Sequence, residues 1–150
     1  MSLEKDKPED YESITTLDIS SKGLAELPSW LSECKKLKNL YFHNNSITHL
    51  DNLPQTLEIL DCGYNKITHL DNLPLTLEQL YCHNNKITHL DNLPLTIELL
   101  YCNDNQITHL DNLPTTLEYL YCYKNPLKYD FEPTLENIRN YINQNTKNKN

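Results

Sequence analysis

Apolar residues along this chain fall on a fixed frame. One stretch carries them at Leu57, Leu60, Cys62, Ile67, Leu70, Leu73 and Pro74, with Asn65 set among them. The frame returns as Leu77, Leu80, Cys82, Asn85, Ile87, Leu90, Leu93, Pro94, and again as Ile97, Leu100, Cys102, Asn105, Ile107, Leu110, Leu113, Pro114. Before these stand Leu37, Leu40, Phe42, Asn45, Ile47, Leu50, Leu53, Pro54; after them, Leu117, Leu120, Cys122, Asn125, Leu127. A degenerate first copy reads Ile14, Leu17, Ile19, Leu24, Leu27, Pro28, with Lys22 in place of the asparagine. The phrase I-T-H-L-D-N-L-P recurs at 47–54, 67–74, 87–94 and 107–114, a period of 20. Self-similarity at this length marks a stack of small units, each burying one face against its neighbours.

The frame predicts the elements. Leu60-Asp61-Cys62 alternates inward, outward, inward, as a short strand must, and successive strands then lie parallel at about 4.8 Å. Twenty residues leave no room for a full return helix. Residues 70–74 are expected to be extended, with Pro74 fixing the backbone, while Thr48, Thr68, Thr88 and Thr108 and Asp51-Asn52 with its copies carry turn chemistry. The first unit is longer, and its Pro28–Cys34 insert predicts a short helical turn. The division that follows is an N-terminal cap over 1–13, a solenoid of about six units over 14–131, a capping helix over 132–142 and a disordered tail over 143–150. Leu135, Ile138 and Tyr141 or Ile142 share the apolar face of that helix.

The pattern L-x-x-L-x-L/C-x-x-N-x-L/I resembles the leucine-rich repeat family over residues 14–131, in its short 20-residue class. That class is found in bacterial effector proteins injected into host cells, and the phrase also looks like repeats of giant DNA virus proteins. Effector repeats usually read L-P-x-L-P, whereas here Asp51, Asp71, Asp91 and Asp111 stand at the first proline. The resemblance implies an α/β solenoid: a curved parallel sheet, right-handed crossovers, a mostly extended convex side and a concave face that binds a protein partner.

Composition narrows the partners. Only 38% of the residues are apolar, which suits a solenoid that buries a narrow inner face. The formal charge of −8 disfavours nucleic acid and anionic membrane, and Lys147 with Lys149 is too short a basic run to reverse this. The first ten residues lack the apolar run of a signal peptide, no stretch approaches a membrane span, and Ser2 breaks the myristoylation pattern. Five cysteines, four of them in register, read as reduced thiols in a cytosol, the host's for an effector or viral protein.

Repeats turn positions into columns. Asn45, Asn65, Asn85, Asn105 and Asn125 are expected to be structural, bonding the backbone of their own and neighbouring turns. Cys62, Cys82, Cys102 and Cys122 read as small buried residues. Glu58, Glu78, Glu98 and Glu118 form a solvated edge. His49, His69, His89 and His109 form a column whose members stand about 5 Å apart, so a metal- or pH-responsive scaffold is an alternative reading. A purely structural or self-associating protein is another, although the helix and charged tail argue against open stacking and favour a monomer.

The outward strand positions vary where the return path does not. One column is Tyr41, Asp61, Tyr81, Tyr101, Tyr121, and a second is Asn39, Ile59, Gln79, Leu99, Tyr119. A third is His43, Gly63, His83, Asn103, Tyr123, and a fourth Asn44, Tyr64, Asn84, Asp104, Lys124. Tyrosine offers large amphipathic contact area at low entropic cost. The expected partner-binding set is therefore Tyr41, His43, Ile59, Asp61, Tyr64, Gln79, Tyr81, His83, Leu99, Tyr101, Asn103, Tyr119, Tyr121 and Tyr123. No nucleophile elbow, P-loop or H-E-x-x-H is present. The expectation is a non-enzymatic protein–protein interaction module without cofactor or bound metal.

Overall fold

The computed structural model describes residues 7–147. Six three-residue strands form one sheet in chain order: β1 Thr16–Asp18, β2 Asn39–Tyr41, β3 Ile59–Asp61, β4 Gln79–Tyr81, β5 Leu99–Tyr101 and β6 Tyr119–Tyr121. Every neighbouring pair is parallel. The register runs Leu17, Leu40, Leu60, Leu80, Leu100, Leu120 across the sheet, so equivalent positions of successive repeats lie side by side. This is the parallel-stranded solenoid that the apolar period demands.

Each turn puts its frame residues into one continuous core. Leu57, Leu60, Cys62 and Ile67 are wholly buried, and Leu70 and Leu73 nearly so; the next two turns repeat this almost residue for residue. Burying each such aliphatic side chain contributes about 1.5–3 kcal/mol, which a single turn cannot convert into net stability against its own ordering but a stack can. The long first unit carries a 3₁₀ turn over Ser29–Glu33 that buries Trp30 and Leu31.

The asparagine column ties the turns together. In Asn85 the side-chain oxygen accepts from the Ile67 N–H at 2.9 Å, while its amide nitrogen donates to the carbonyls of Cys62 and Cys82 at 3.0 and 3.1 Å. Asn65, Asn105 and Asn125 repeat the pattern one turn back, one turn on and two turns on. Asn45 does the same toward the first unit, accepting from Lys22 and Leu24 N–H groups. A threonine column adds a second ladder: Thr76 Oγ1 donates toward Gln55 and Leu57 carbonyls, Thr96 toward Leu75 and Leu77, and Thr116 toward Leu95 and Ile97.

Two expectations need correction. The return path is non-helical, but residues 70–74 are not extended throughout. Asp71 and Asn72 make a turn, with Asn72 at φ 58°, and Asn52 and Asn92 do likewise at 63° and 61°. Asparagine tolerates this left-handed region, so the Asp–Asn pair supplies the bend that lets twenty residues close a turn. The C-terminal helix α1 spans Leu135–Lys147, five residues beyond the expected end, so 143–147 are helical rather than a disordered tail. Residues 148–150 of that expected tail, like residues 1–6 of the expected N-terminal cap, lie outside the described residues. Ile138 of α1 is fully buried in the solenoid core, with Leu135 and Ile142 packed against it.

Candidate functional site

The solvent-facing side of the sheet is built by the odd strand positions and the turn that follows each strand. Tyr81, Tyr101 and Tyr121 occupy the last position of β4, β5 and β6 and therefore face one another across the register. The Tyr81 and Tyr101 rings lie 5.0 Å apart, and Tyr101 stacks on Tyr121 at 4.1 Å with 19° between planes. The hydrogen bond that the Tyr101 phenol gives to the Tyr121 side chain, then burial, raises it above its ordinary pKa, and burial raises Tyr81. Tyr119, Tyr121 and Tyr123 are largely exposed at the β6 end.

Beyond the strands the chain turns sharply, and the second residue of each turn has positive φ: Asn44, Tyr64, Asn84, Asp104 and Lys124, between 52° and 57°. Asparagine and aspartate accept this region readily. Tyr64 and Lys124 do not, and Tyr64 holds φ 52° while leaving 56% of its surface in solvent. Its ring meets His83 edge-on at 5.2 Å and 87°. His83 in turn lies over Gly63, where a Cβ would come within 2.5 Å of the imidazole. Among the described residues the Nδ1 of His83 is buried without a hydrogen-bond partner.

Tyr64, Tyr81, His83, Tyr101, Asn103 and Tyr123 thus converge on one open pocket of about 450 Å³. All six belong to the set expected to meet a partner. Asn84, Asp104 and Lys124 also line it and were not among the expected set. Lys124 Nζ lies 3.1 Å from Asp104 Oδ1 and 5.8 Å from the Tyr123 ring centre. Asn103 donates to the other Asp104 oxygen at 2.8 Å, and this bond, ahead of the Lys124 charge, holds the Asp104 carboxyl below its usual range. The column reading places all three on this face, in the fourth column with Tyr64, without singling them out for partner binding.

The remaining expected residues lie elsewhere on the face. His43 stands at the opposite end, with Nδ1 3.0 Å from Ser20 Oγ and 3.3 Å from Asp61 Oδ2. Tyr41, Ile59, Gln79 and Leu99 are half-buried strand residues outside the pocket, as is the exposed Tyr119. The Glu column stands just before β3, β4, β5 and β6. Its first member, Glu58, pairs with Lys38, while Glu78, Glu98 and Glu118 have no cation beside them among the described residues.

The His column is exposed on the return path. Each imidazole Nδ1 sits 2.8–2.9 Å from the hydroxyl of the threonine before it, Thr48, Thr68, Thr88 and Thr108. Among the described residues no three His, Cys, Asp or Glu groups are placed to hold a metal ion. The Cys column is buried and unoxidised, and burial pushes the Cys62, Cys82 and Cys102 thiols far above their ordinary pKa and Cys122 up to about 11. No helix of the described residues is long and apolar enough to cross a membrane.

No protein-family model matches the sequence, and no characterised protein matches it by sequence alone. Solved structures do match. A Shigella effector leucine-rich-repeat domain superposes with a TM-score of 0.76 at 28% identity, over 89% of this chain and 58% of that one. YopM from Yersinia enterocolitica gives 0.61 at 29% identity over 73% of this chain and 24% of that one. The functional domain of InlJ from Listeria monocytogenes, which includes a cysteine ladder, gives 0.59 at 29% identity over 83% of this chain and 33% of that one. The chain therefore spans little more than half of the first neighbour and smaller shares of the others. Six in-register parallel strands, an asparagine on five of the six turns and these neighbours together make the fold that of a leucine-rich-repeat solenoid.

Proposed function

We propose that this chain is a non-enzymatic protein-recognition module whose partner docks on the solvent-facing side of the sheet, the side expected to be concave in this fold. Tyr64 carries the reading. Tyrosines within β4, β5 and β6 are accounted for by strand preference alone, but Tyr64 lies beyond β3 in a left-handed turn. A bulky residue there costs on the order of 1–3 kcal/mol where Asn44 and Asn84 sit relaxed in the same column. A strained, half-exposed aromatic beside a pocket is retained for contact, not for folding. Aromatic anchors of this kind carry a disproportionate share of binding energy at protein interfaces. The described residues bring one pocket of mixed aromatic and polar character to this face rather than a nucleophile with a base and an oriented third group.

The effector character of the Shigella neighbour, and of YopM from Yersinia pestis, extends the reading to a host protein met in the host cytosol. Immobilised full chain incubated with cytosolic extract tests it against the Tyr81→Ser, Tyr101→Ser, Tyr121→Ser variant, with circular dichroism showing both folded. A protein retained by the first and lost by the second supports the reading; equal recovery refutes it.

A further inference from the structure

The sheet face carries more carboxylates than lysines. Its carboxylates are Asp18, Asp61, Asp104 and the Glu58, Glu78, Glu98, Glu118 row, against Lys38 and Lys124. Both lysines are already engaged, Lys38 with Glu58 and Lys124 with Asp104. Glu78, Glu98 and Glu118 stand exposed at the start of consecutive strands, so their field adds along one side of the sheet. An acidic partner segment would meet repulsion along its length, and a second copy of this chain, at −8, would meet the same.

The pocket says which cation. At about 450 Å³ it is too large for a bare ion and admits a planar head with part of its stem. Four tyrosines, Tyr64, Tyr81, Tyr101 and Tyr123, line it beside the polar His83, Asn84, Asn103, Asp104 and Lys124. The chain itself shows that a cation settles there: the Lys124 ammonium lies by Asp104 and near the Tyr123 ring. That lysine is 69% exposed, and an exposed lysine pair is a weak interaction that a better cation displaces. A guanidinium is better on each count, being planar, weakly hydrated, able to stack on tyrosine and to fork onto a carboxylate.

We propose that the Tyr64–His83–Asp104–Tyr123 pocket receives an arginine side chain from a basic segment of the partner, with the glutamate row attracting further cations of the same segment. The proposal rests on the sheet face being the docking surface, and its test separates the two. The probes are the blocked peptide Gly-Arg-Gly-Arg-Gly-Arg-Gly and its lysine and glutamate counterparts, titrated calorimetrically into the full chain. The arginine peptide binds severalfold tighter than the lysine peptide, and the glutamate peptide does not bind. Asp104→Asn weakens the arginine peptide about tenfold, the loss expected for one charge-assisted hydrogen-bonded pair. Asp71→Asn, which removes the same charge from the return path, weakens it less than twofold.

Equal loss in the two variants, equal affinity for the arginine and lysine peptides, or no binding of the arginine peptide would each overturn the proposal. A cytosolic protein lost on the triple tyrosine substitution, yet unaffected by Asp104→Asn and by competing arginine peptide, would overturn the cation site and leave the recognition face standing. Arginine peptide held at Asp104, with every captured protein indifferent to the tyrosines, would support the site and refute the wider reading.

Discussion

His83 occupies the space that Gly63 leaves open: a Cβ on residue 63 would lie 2.5 Å from Cε1 of the imidazole and 2.8 Å from Nε2. Gly63 itself is buried, and its N–H is held by Asp61 Oδ1 at 3.0 Å. The backbone of one repeat therefore sets the ring position in the next, and the ring in turn supports Tyr64. Gly63→Ala should displace His83 and destabilise the fold by about 1–3 kcal/mol through overpacking. In a His83→Ala background the same change should cost markedly less. Urea denaturation of the four proteins in this cycle measures the coupling; additive costs would show that the two residues do not share space as described.

Tyr64→Asn should leave stability unchanged or raise it. Asparagine relaxes the left-handed turn, worth about 1–2 kcal/mol, against the lost edge contact to His83 of about 0.5–1.5 kcal/mol. The same substitution should weaken partner binding. A melting temperature well below that of the wild type would instead assign Tyr64 to the fold and remove the main support for a contact role.

The asparagine column should be graded by burial. Asn85→Ala strands the buried Ile67 N–H, at about 1–3 kcal/mol, and takes one of two asparagine donors from each of the Cys62 and Cys82 carbonyls, which keep Asn65 and Asn105. Asn125, partly exposed on the last turn, should cost less. Denaturant midpoints of Asn85→Ala and Asn125→Ala check the order, and equal losses would contradict the ladder as the source of stability.

The thiols give the pH dependence. In the folded chain burial disfavours the thiolate, pushing Cys122 up to about 11 and Cys62, Cys82 and Cys102 far above their ordinary range. In the unfolded chain they ionise at about 8.5. Each folded pKa is raised, so the unfolded state binds fewer protons above that value. The stability these neutral thiols contribute is then whole below about pH 8.5 and is lost as pH climbs through 11. Melting temperature measured from pH 7 to 11 should fall above about 8.5, and replacing the four cysteines by alanine should flatten that part of the fall. Native-state alkylation followed by mass spectrometry should label Cys122, 5% exposed at the end of the column, before Cys82, which is wholly buried; labelling of Cys82 first would contradict the burial.

The apolar frame from Leu37 to Leu127 was legible because every turn repeats it, and repetition separates inward from outward positions without any structure. The columns of the sheet face were legible for the same reason. What escaped was anything set by contacts between unlike residues of adjacent turns. The fit of His83 over Gly63 joins two members of one column that look unrelated, and Asp104 with Lys124 joins two more. Asp71–Asn72 carried the chemistry of a turn, yet the neighbouring proline suggested extension, and the left-handed tolerance of asparagine prevailed. The helix runs past Ile142 through Asn143-Gln-Asn-Thr, where no apolar period announces it. Arg139 was invisible for a different reason. Its guanidinium donates to the carbonyls of Thr115 and Leu117, the bonds that a threonine of a following repeat would make, from a helix that lies off the frame altogether. Tyr129 acts alike, its hydroxyl accepting from Leu110 N–H and donating to Asp111.

The central claim is that recognition happens on the sheet face and not on the return path. A photo-reactive benzoylphenylalanine placed at Tyr101 in one full-length protein and at His89 in another tests it directly, after both are shown to melt as the wild type does. Irradiated in cytosolic extract, the Tyr101 protein should form a discrete adduct that excess unlabelled wild type competes away, and the His89 protein should form none. A competed adduct from His89 with nothing from Tyr101 would place recognition on the opposite side of the solenoid and contradict the account.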